Sequence, residues 1–171
     1  MTVQIILMPY SQDDLPLLDR ANTPEMTEHL GGPESDEQVR RRHQRYLEKP
    51  ETGGAGMYKI VSMEDGQSVG LIGYWERKWR GEMIWETGWS IFPEVQGKGF
   101  AKAATLALIE KVMLEKSHRF LHAFPSVDNP PSNAICRSAG FTLLGEYDFE
   151  YPPGHMMRCN DWQIDLMPDR S

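Results

Sequence analysis

The six residues Gln96-Gly97-Lys98-Gly99-Phe100-Ala101 constrain this chain more than any other stretch. They lie at the centre of a longer segment, Trp85 to Lys116, that enters as a strand and leaves as a helix. Apolar and polar residues alternate from Ile84 to Phe92, Pro93-Glu94 turns the chain, and an Ala/Leu-rich helix follows over 97–116. A strand, a tight glycine turn and a helix start together aim free backbone N–H groups at one point, which suits an anion. The turn is therefore expected to hold the pyrophosphate of a nucleotide-bearing cofactor. Two other glycine fingerprints do not fit. A dinucleotide-binding turn needs a third glycine where Gly97-x-Gly99-x-x-Lys102 has lysine. A Walker A loop needs Gly-Lys-Ser/Thr, but Gly97-Lys98 is followed by Gly99. A plain structural turn is the remaining alternative.

The rest of the chain surrounds this unit with a sheet. Thr2 to Met8 is β-rich and ends at Pro9, and Ser11-Gln12-Asp13-Asp14 caps a short helix through Leu15, Leu17 and Leu18. Residues 22–34 spell a loop, in which Glu25, Glu28 and His29 either face a substrate or are simply solvated. Ser35-Asp36-Glu37 caps a second helix reaching about Glu48, with Val39, His43, Tyr46 and Leu47 as its apolar stripe. On it, Arg40-Arg41-Arg42 and Arg45 splay around the axis among acids, which predicts a solvated face rather than a nucleic-acid patch. Pro50 to Gly56 is a glycine-rich connection without the residues of a P-loop.

A meander follows: a strand over Met57 to Met63, a turn at Asp65-Gly66, a strand over Ser68 to Arg77, a turn over Lys78 to Glu82, and a strand over Met83 to Phe92. These connections are too short for anything but antiparallel pairing. After the 97–116 helix, Arg119 to Phe124 is expected to run parallel to the strand before it, by a right-handed crossover. Asp128-Asn129-Pro130-Pro131 opens a short helix ending at Gly140. Strands over Phe141 to Phe149 and Met156 to Leu166 flank a Pro152-Pro153-Gly154 turn. The order β-α-α-β-β-β-α-β-α-β-β predicts an α/β fold, a mixed sheet with helices on its faces, in one domain spanning 1–171.

Composition narrows the partners. No apolar run approaches the ~18 residues of a membrane span and the N-terminus lacks a signal peptide's pattern, so a membrane is not expected. Cys136 and Cys159 make no disulfide framework, which with no export signal predicts thiols in a cytoplasmic protein. A formal net charge of −7 argues against nucleic acid and mildly for a cationic partner. The histidines His118, His122 and His155 have no ligand spacing, so no metal is expected.

With these residues placed, the chain resembles the GNAT N-acetyltransferase superfamily, which shares this order of elements and a Gln/Arg-x-x-Gly-x-Gly/Ala signature. Here the signature is Gln96-x-x-Gly99-x-Ala101, preceded by Trp85-Glu86-Thr87-Gly88-Trp89-Ser90-Ile91-Phe92-Pro93-Glu94. A second shared feature, an Asn-led helix ending in Gly-Phe, is Asn129-Pro130-Pro131-Ser132 through Gly140-Phe141. The Asn-x-x-Ser pattern is similar to that of the ribosomal-protein N-terminal acetyltransferases. The resemblance covers nearly the whole chain. It implies about seven strands and about four helices, with acetyl-CoA in a splay between the two central parallel strands.

The resemblance also assigns roles. Gly97, Lys98, Gly99, Phe100, Ala101 and Lys102 would wrap the pyrophosphate, with Gln96 also on the cofactor side; Ile91 would pair its backbone with the pantetheine arm, and a backbone N–H near Ile91 would polarise the thioester carbonyl. Asn129 and Ser132 match positions that contact CoA. Glu86 matches a carboxylate that takes the amine's proton in many members, though an ordinary charged strand residue is the alternative. Many members protonate the thiolate with a tyrosine four residues before Gly-Phe; here Cys136 stands there, so the acid is Cys136, Ser132 or water. The acceptor side would be formed by the 22–34 loop and the last hairpin, with Glu28, Glu150, Trp75 and Trp85 as candidates, beside Glu25, Asp148, Tyr151 and Trp79. Acids among aromatics suit a small cationic amine, such as an aminoglycoside-like molecule. A protein or peptide N-terminus and a non-catalytic CoA-binding sensor are the alternatives, in a monomer or homodimer.

Overall fold

The computed structural model describes residues 2–48, 55–151 and 153–168. Its strands are β1 (Ile5–Pro9), β2 (Gly56–Ser62), β3 (Ser68–Trp79), β4 (Glu82–Ile91), β5 (Phe120–Ala123), β6 (Thr142–Glu150) and β7 (Met156–Asp165). The helices are α1 (Leu15–Ala21), α2 (Asp36–Leu47), α3 (Phe100–Met113) and α4 (Pro130–Ser138). Among the described residues the strands form one sheet in the order β1-β2-β3-β4-β5-β7-β6. Every pairing is antiparallel except that of β4 with β5, which α3 connects. The mixed α/β order expected from the sequence is the order found. Most of the 50–56 connection and Pro152 of the final turn lie outside the described residues.

The β3–β4 hairpin has the longest register and fixes the faces of the sheet. Arg80 (φ 52°) and Gly81 (φ 84°) form a two-residue turn directly between the paired Trp79 and Glu82. Two left-handed residues in succession match the twist of the flanking strands. This corrects the expected Lys78–Glu82 turn: the strands run closer to the tip because Arg80 accepts a conformation few non-glycine residues adopt.

Helix α3 packs its apolar face on the sheet. Ala104, Leu108 and Val112 meet Ile60, Ile72, Trp85 and Leu121, all fully buried. The small Ala104 permits close approach, and the buried Thr105 hydroxyl donates to the Ala101 carbonyl at 2.7 Å. The helix begins later than its expected start at 97, because Gly97 and Gly99 carry φ of 77° and 93° and cannot belong to it. At α2, Ser35 and Gln38 make reciprocal bonds (2.8 and 3.2 Å), the capping box that places this helix start. Among the described residues no helix is long and apolar enough to cross a membrane.

Candidate active site

Strands β4 and β5 pair only at Trp85–Leu121, Glu86–His122 and Thr87–Ala123, and then part. The parting has a local cause. Beyond Ala123 the chain turns toward β7, where the Pro125 carbonyl accepts from Asn160 N–H (2.9 Å) and Val127 N–H donates to the Arg158 carbonyl (3.0 Å). Meanwhile β4 continues to Ile91, bound along its other edge to β3. A V-shaped gap opens with Glu86 and Thr87 at its vertex.

Backbone alternation sets what β4 presents to that gap. Phe92 gives its N–H to the Val69 carbonyl at 2.9 Å, toward β3. Adjacent residues face opposite ways, so the backbone groups of Trp89 and Ile91 turn into the gap. The Ile91 carbonyl is already engaged there, accepting from Gln96 Nε2 at 2.8 Å. Its N–H is the group left for a ligand.

The turn at the mouth of the gap is built on its glycines. A Cβ at Gly97 would meet nothing within 4 Å, so backbone conformation rather than crowding demands glycine there. Ala103 N–H donates to the Gly99 carbonyl at 3.1 Å, so the N–H groups of Phe100, Ala101 and Lys102 precede the first helical bond of α3. They point out of a helix N-terminus beside the gap, as an anion site requires. Gln96, Gly97, Gly99, Phe100 and Ala101 line the cleft; Lys98 and Lys102 are exposed beside it. On the opposite lip Asn129 caps α4, accepting from Ser132 N–H at 3.3 Å, and both residues line the cleft. The whole cleft has a volume of about 1980 Å³.

Glu86 sits at the vertex with its side chain 12% exposed. Burial pushes its carboxyl above the ordinary glutamate range, and Arg77 opposes the shift by donating from Nη1 to Oε1 at 2.9 Å. Arg77 is held in turn over the Phe149 ring, 4.2 Å from its centroid. Trp75 pairs with Glu86 across the hairpin, so both face the same side, and its ring lies over Gly88, where an added Cβ would come within 3.2 Å of it. Behind Glu86, His122 and Asp161 are buried with Nδ1 and Oδ1 2.5 Å apart. The side-chain nitrogen of Gln163 donates to His122 Nε2 at 3.3 Å, which leaves the ring proton on Nδ1, facing Asp161.

Two sequence candidates are corrected here. Trp85 is fully buried, edge-on to Tyr74 at 5.3 Å and against His118 at 4.7 Å; it belongs to the core and not to an acceptor wall. Strand parity is the reason, since it puts Trp85 on the face opposite Glu86. Cys136 is also fully buried, away from the cleft lining, and burial pushes its thiol up to about 12. A thiol so placed packs α4 and donates no proton to the gap. Trp79, likewise outside the lining, gives its indole N–H to Asp161 at 3.1 Å.

Trp75, Glu25, Glu28, Glu150 and Tyr151 do line the cleft. Glu28 stands 3.4 Å from His29, and Glu150 accepts the Gly154 N–H at 2.8 Å. Arg77 was not singled out from the sequence. Its signal was the alternation that places it two residues from Trp75 on the same face. Among the described residues no group of three His, Cys, Asp or Glu side chains is placed to hold a metal ion.

A family model described as an acetyltransferase (GNAT) domain matches residues 4–142, and the chain belongs to that family. It is 25% identical over 117 residues to YnaD, an uncharacterised N-acetyltransferase of Bacillus subtilis strain 168, the match covering 68% of this chain and 65% of that protein. An acetyltransferase of Salmonella typhimurium that modifies the N-terminal serine of ribosomal protein L7/L12 has the same fold, with a TM-score of 0.78, 22% identity and 96% of each chain covered. So does the spermidine N-acetyltransferase of Vibrio cholerae solved with CoA and spermine, at a TM-score of 0.76 and 17% identity, covering 95% of this chain and 96% of that one.

Proposed function

We propose that this chain transfers the acetyl group of acetyl-CoA directly to a primary amine of a small cationic molecule, in the manner of an aminoglycoside-like acceptor. The observation that carries the reading is the vertex: a largely buried carboxylate stands where two parallel strands part, in line with an unpaired strand edge and a glycine turn. Acetyl-CoA supplies the acetyl group as an activated thioester. The N–H groups at residues 100 to 102 and the left-handed Gly97 and Gly99 fit its pyrophosphate, with Asn129 and Ser132 on the facing lip. The inward backbone of Trp89 and Ile91 fits the amide-bearing arm, and an N–H from this edge holds the charge that develops on the carbonyl oxygen.

An alkylamine arrives mostly protonated, and Glu86 removes the proton that blocks its lone pair. The nitrogen then bonds to the carbonyl carbon and sheds its second proton to water, the carbon–sulfur bond breaks, and the thiolate takes a proton from water or from Ser132, whose hydroxyl water restores. Glu25 and Glu28 supply negative charge on the acceptor side, and Trp75 an aromatic face for a cation.

Thiol release from acetyl-CoA tests the proposal, with polyamines, aminoglycosides and N-terminal peptides as acceptors. Turnover of the free amines and not of the peptides is the expected result. Turnover of peptides alone would make the protein an N-terminal acetyltransferase. CoA binding with no turnover of anything would make it a sensor.

A further inference from the structure

Arg42 is the most fully engaged cation near the cleft. It lies on α2 and reaches beyond that helix. Its Nε and Nη2 donate to the two oxygens of Glu34 at 2.7 and 2.8 Å, a fork that planar guanidinium suits. Its Nη1 donates to the Tyr46 hydroxyl at 3.1 Å, and Nη2 also reaches the Tyr151 hydroxyl at 3.1 Å. Glu34 is itself fixed: Asn22 accepts its N–H at 2.7 Å and donates to its carbonyl at 2.8 Å, closing the 22–34 loop at its base. Tyr151 belongs to the other wall of the cleft, at the end of β6. Among the described residues the Arg42–Tyr151 bond is the only hydrogen bond joining the α1–α2 wall to the β6–β7 hairpin. Glu34, Arg42, Tyr46 and Tyr151 all line the cleft.

We propose that the Arg42–Tyr151 bond is a latch across the acceptor side of the cleft, and that it selects acceptors by size. With the latch closed, a slender amine passes readily to Glu86 beneath it, and an amine carried on a bulky body, an aminoglycoside included, passes more slowly. Among the described residues no second hydrogen bond joins the two walls, so this bond is placed to hold the entrance narrow. This inference rests on the acetyl-transfer reading above.

The test is Tyr151→Phe, which keeps the ring and removes only the hydroxyl. The expected result is a rise of about tenfold in the ratio of kcat/KM for a bulky aminoglycoside to that for a short linear diamine, with KM for acetyl-CoA unchanged, as loss of one bond to a charged group allows. Arg42→Lys, which cannot fork, should move the ratio the same way. Hydrogen exchange at Leu30 and Gly32, whose N–H groups bond within the 22–34 loop, should quicken in Tyr151→Phe. An active Tyr151→Phe enzyme with an unaltered ratio overturns the latch and leaves acetyl transfer standing. If the wild-type protein turns over no acceptor, the transfer reading fails. Unchanged exchange in Tyr151→Phe would then overturn the latch separately.

Discussion

Glu86 is held between burial, which disfavours its charge, and Arg77, which favours it, and burial prevails. A base whose carboxyl titrates above the usual range loses its working form as pH falls through that raised value. The acid limb of kcat/KM should therefore stand above the ~4.3 of an ordinary glutamate. Glu86→Gln should lower kcat by about 10²–10³-fold and abolish that limb, measured from pH 5 to 9. An identical profile in the variant would remove Glu86 from the mechanism. Gly99→Ala places a side chain at φ 93°, which costs about 1–2 kcal/mol and displaces the first N–H groups of α3. KM for acetyl-CoA should rise severalfold while KM for the amine stays put. At this scale the sequence was half legible. The glycine turn could be located because the positive φ at Gly97 and Gly99 requires glycine. Trp75 and Trp85 could be separated only by register, and register followed from Arg80 adopting a positive φ, which nothing in its side chain announces.

Among the elements, α4 depends on Asn133. Its side chain donates to the Ser126 and Asn129 carbonyls (3.0 and 2.9 Å) and accepts from Asn160 and the Trp162 indole (2.8 Å each). Four bonds from one amide fasten α4 to β7 and hold the chain that leaves β5, so Asn133 also maintains the parting of β4 and β5. Asn133→Leu should lower unfolding free energy by about 2–4 kcal/mol in urea titration, through stranded buried partners. It should weaken CoA binding as well. The Glu34–Arg42 pair adds a pH signature: Arg42 holds the Glu34 carboxyl below its ordinary range. Stability from that pair is present above the unfolded pKa of glutamate and is lost as pH falls through the lowered folded value. In the wild-type protein the protection factors of the 22–34 loop amides should accordingly fall as pH drops through that lowered value. Element order and helix caps were readable because caps, turns and periodicity are local. Arg42 was not, since its neighbours Arg40 and Arg41 are exposed as expected, while of its own partners Glu34 precedes the helix cap and Tyr151 comes from a distant strand end.

For the whole molecule, a ligand bound only by the folded state stabilises it by mass action. CoA at about a hundred times its dissociation constant adds about 2.7 kcal/mol, so Tm should rise by about 5–10 °C without any amine. No shift in a thermal melt would contradict the cofactor assignment independently of turnover. The anionic balance of −7 fits cationic acceptors through the long-range field, but the choice among them lies in the two walls of the cleft. The straight run of β4 from Glu86 to Ile91 has a last consequence. At a rise of about 3.3 Å per residue it separates the carboxylate from the strand's end by about 17 Å. If the glycine turn anchors the donor as proposed, the strand serves as a ruler, and the thioester meets Glu86 only when the arm matches that length. Acetyl thioesters with a truncated arm would have to find the vertex unguided, and lengthening β4 by one residue would reverse which groups face the gap as well as overshoot it.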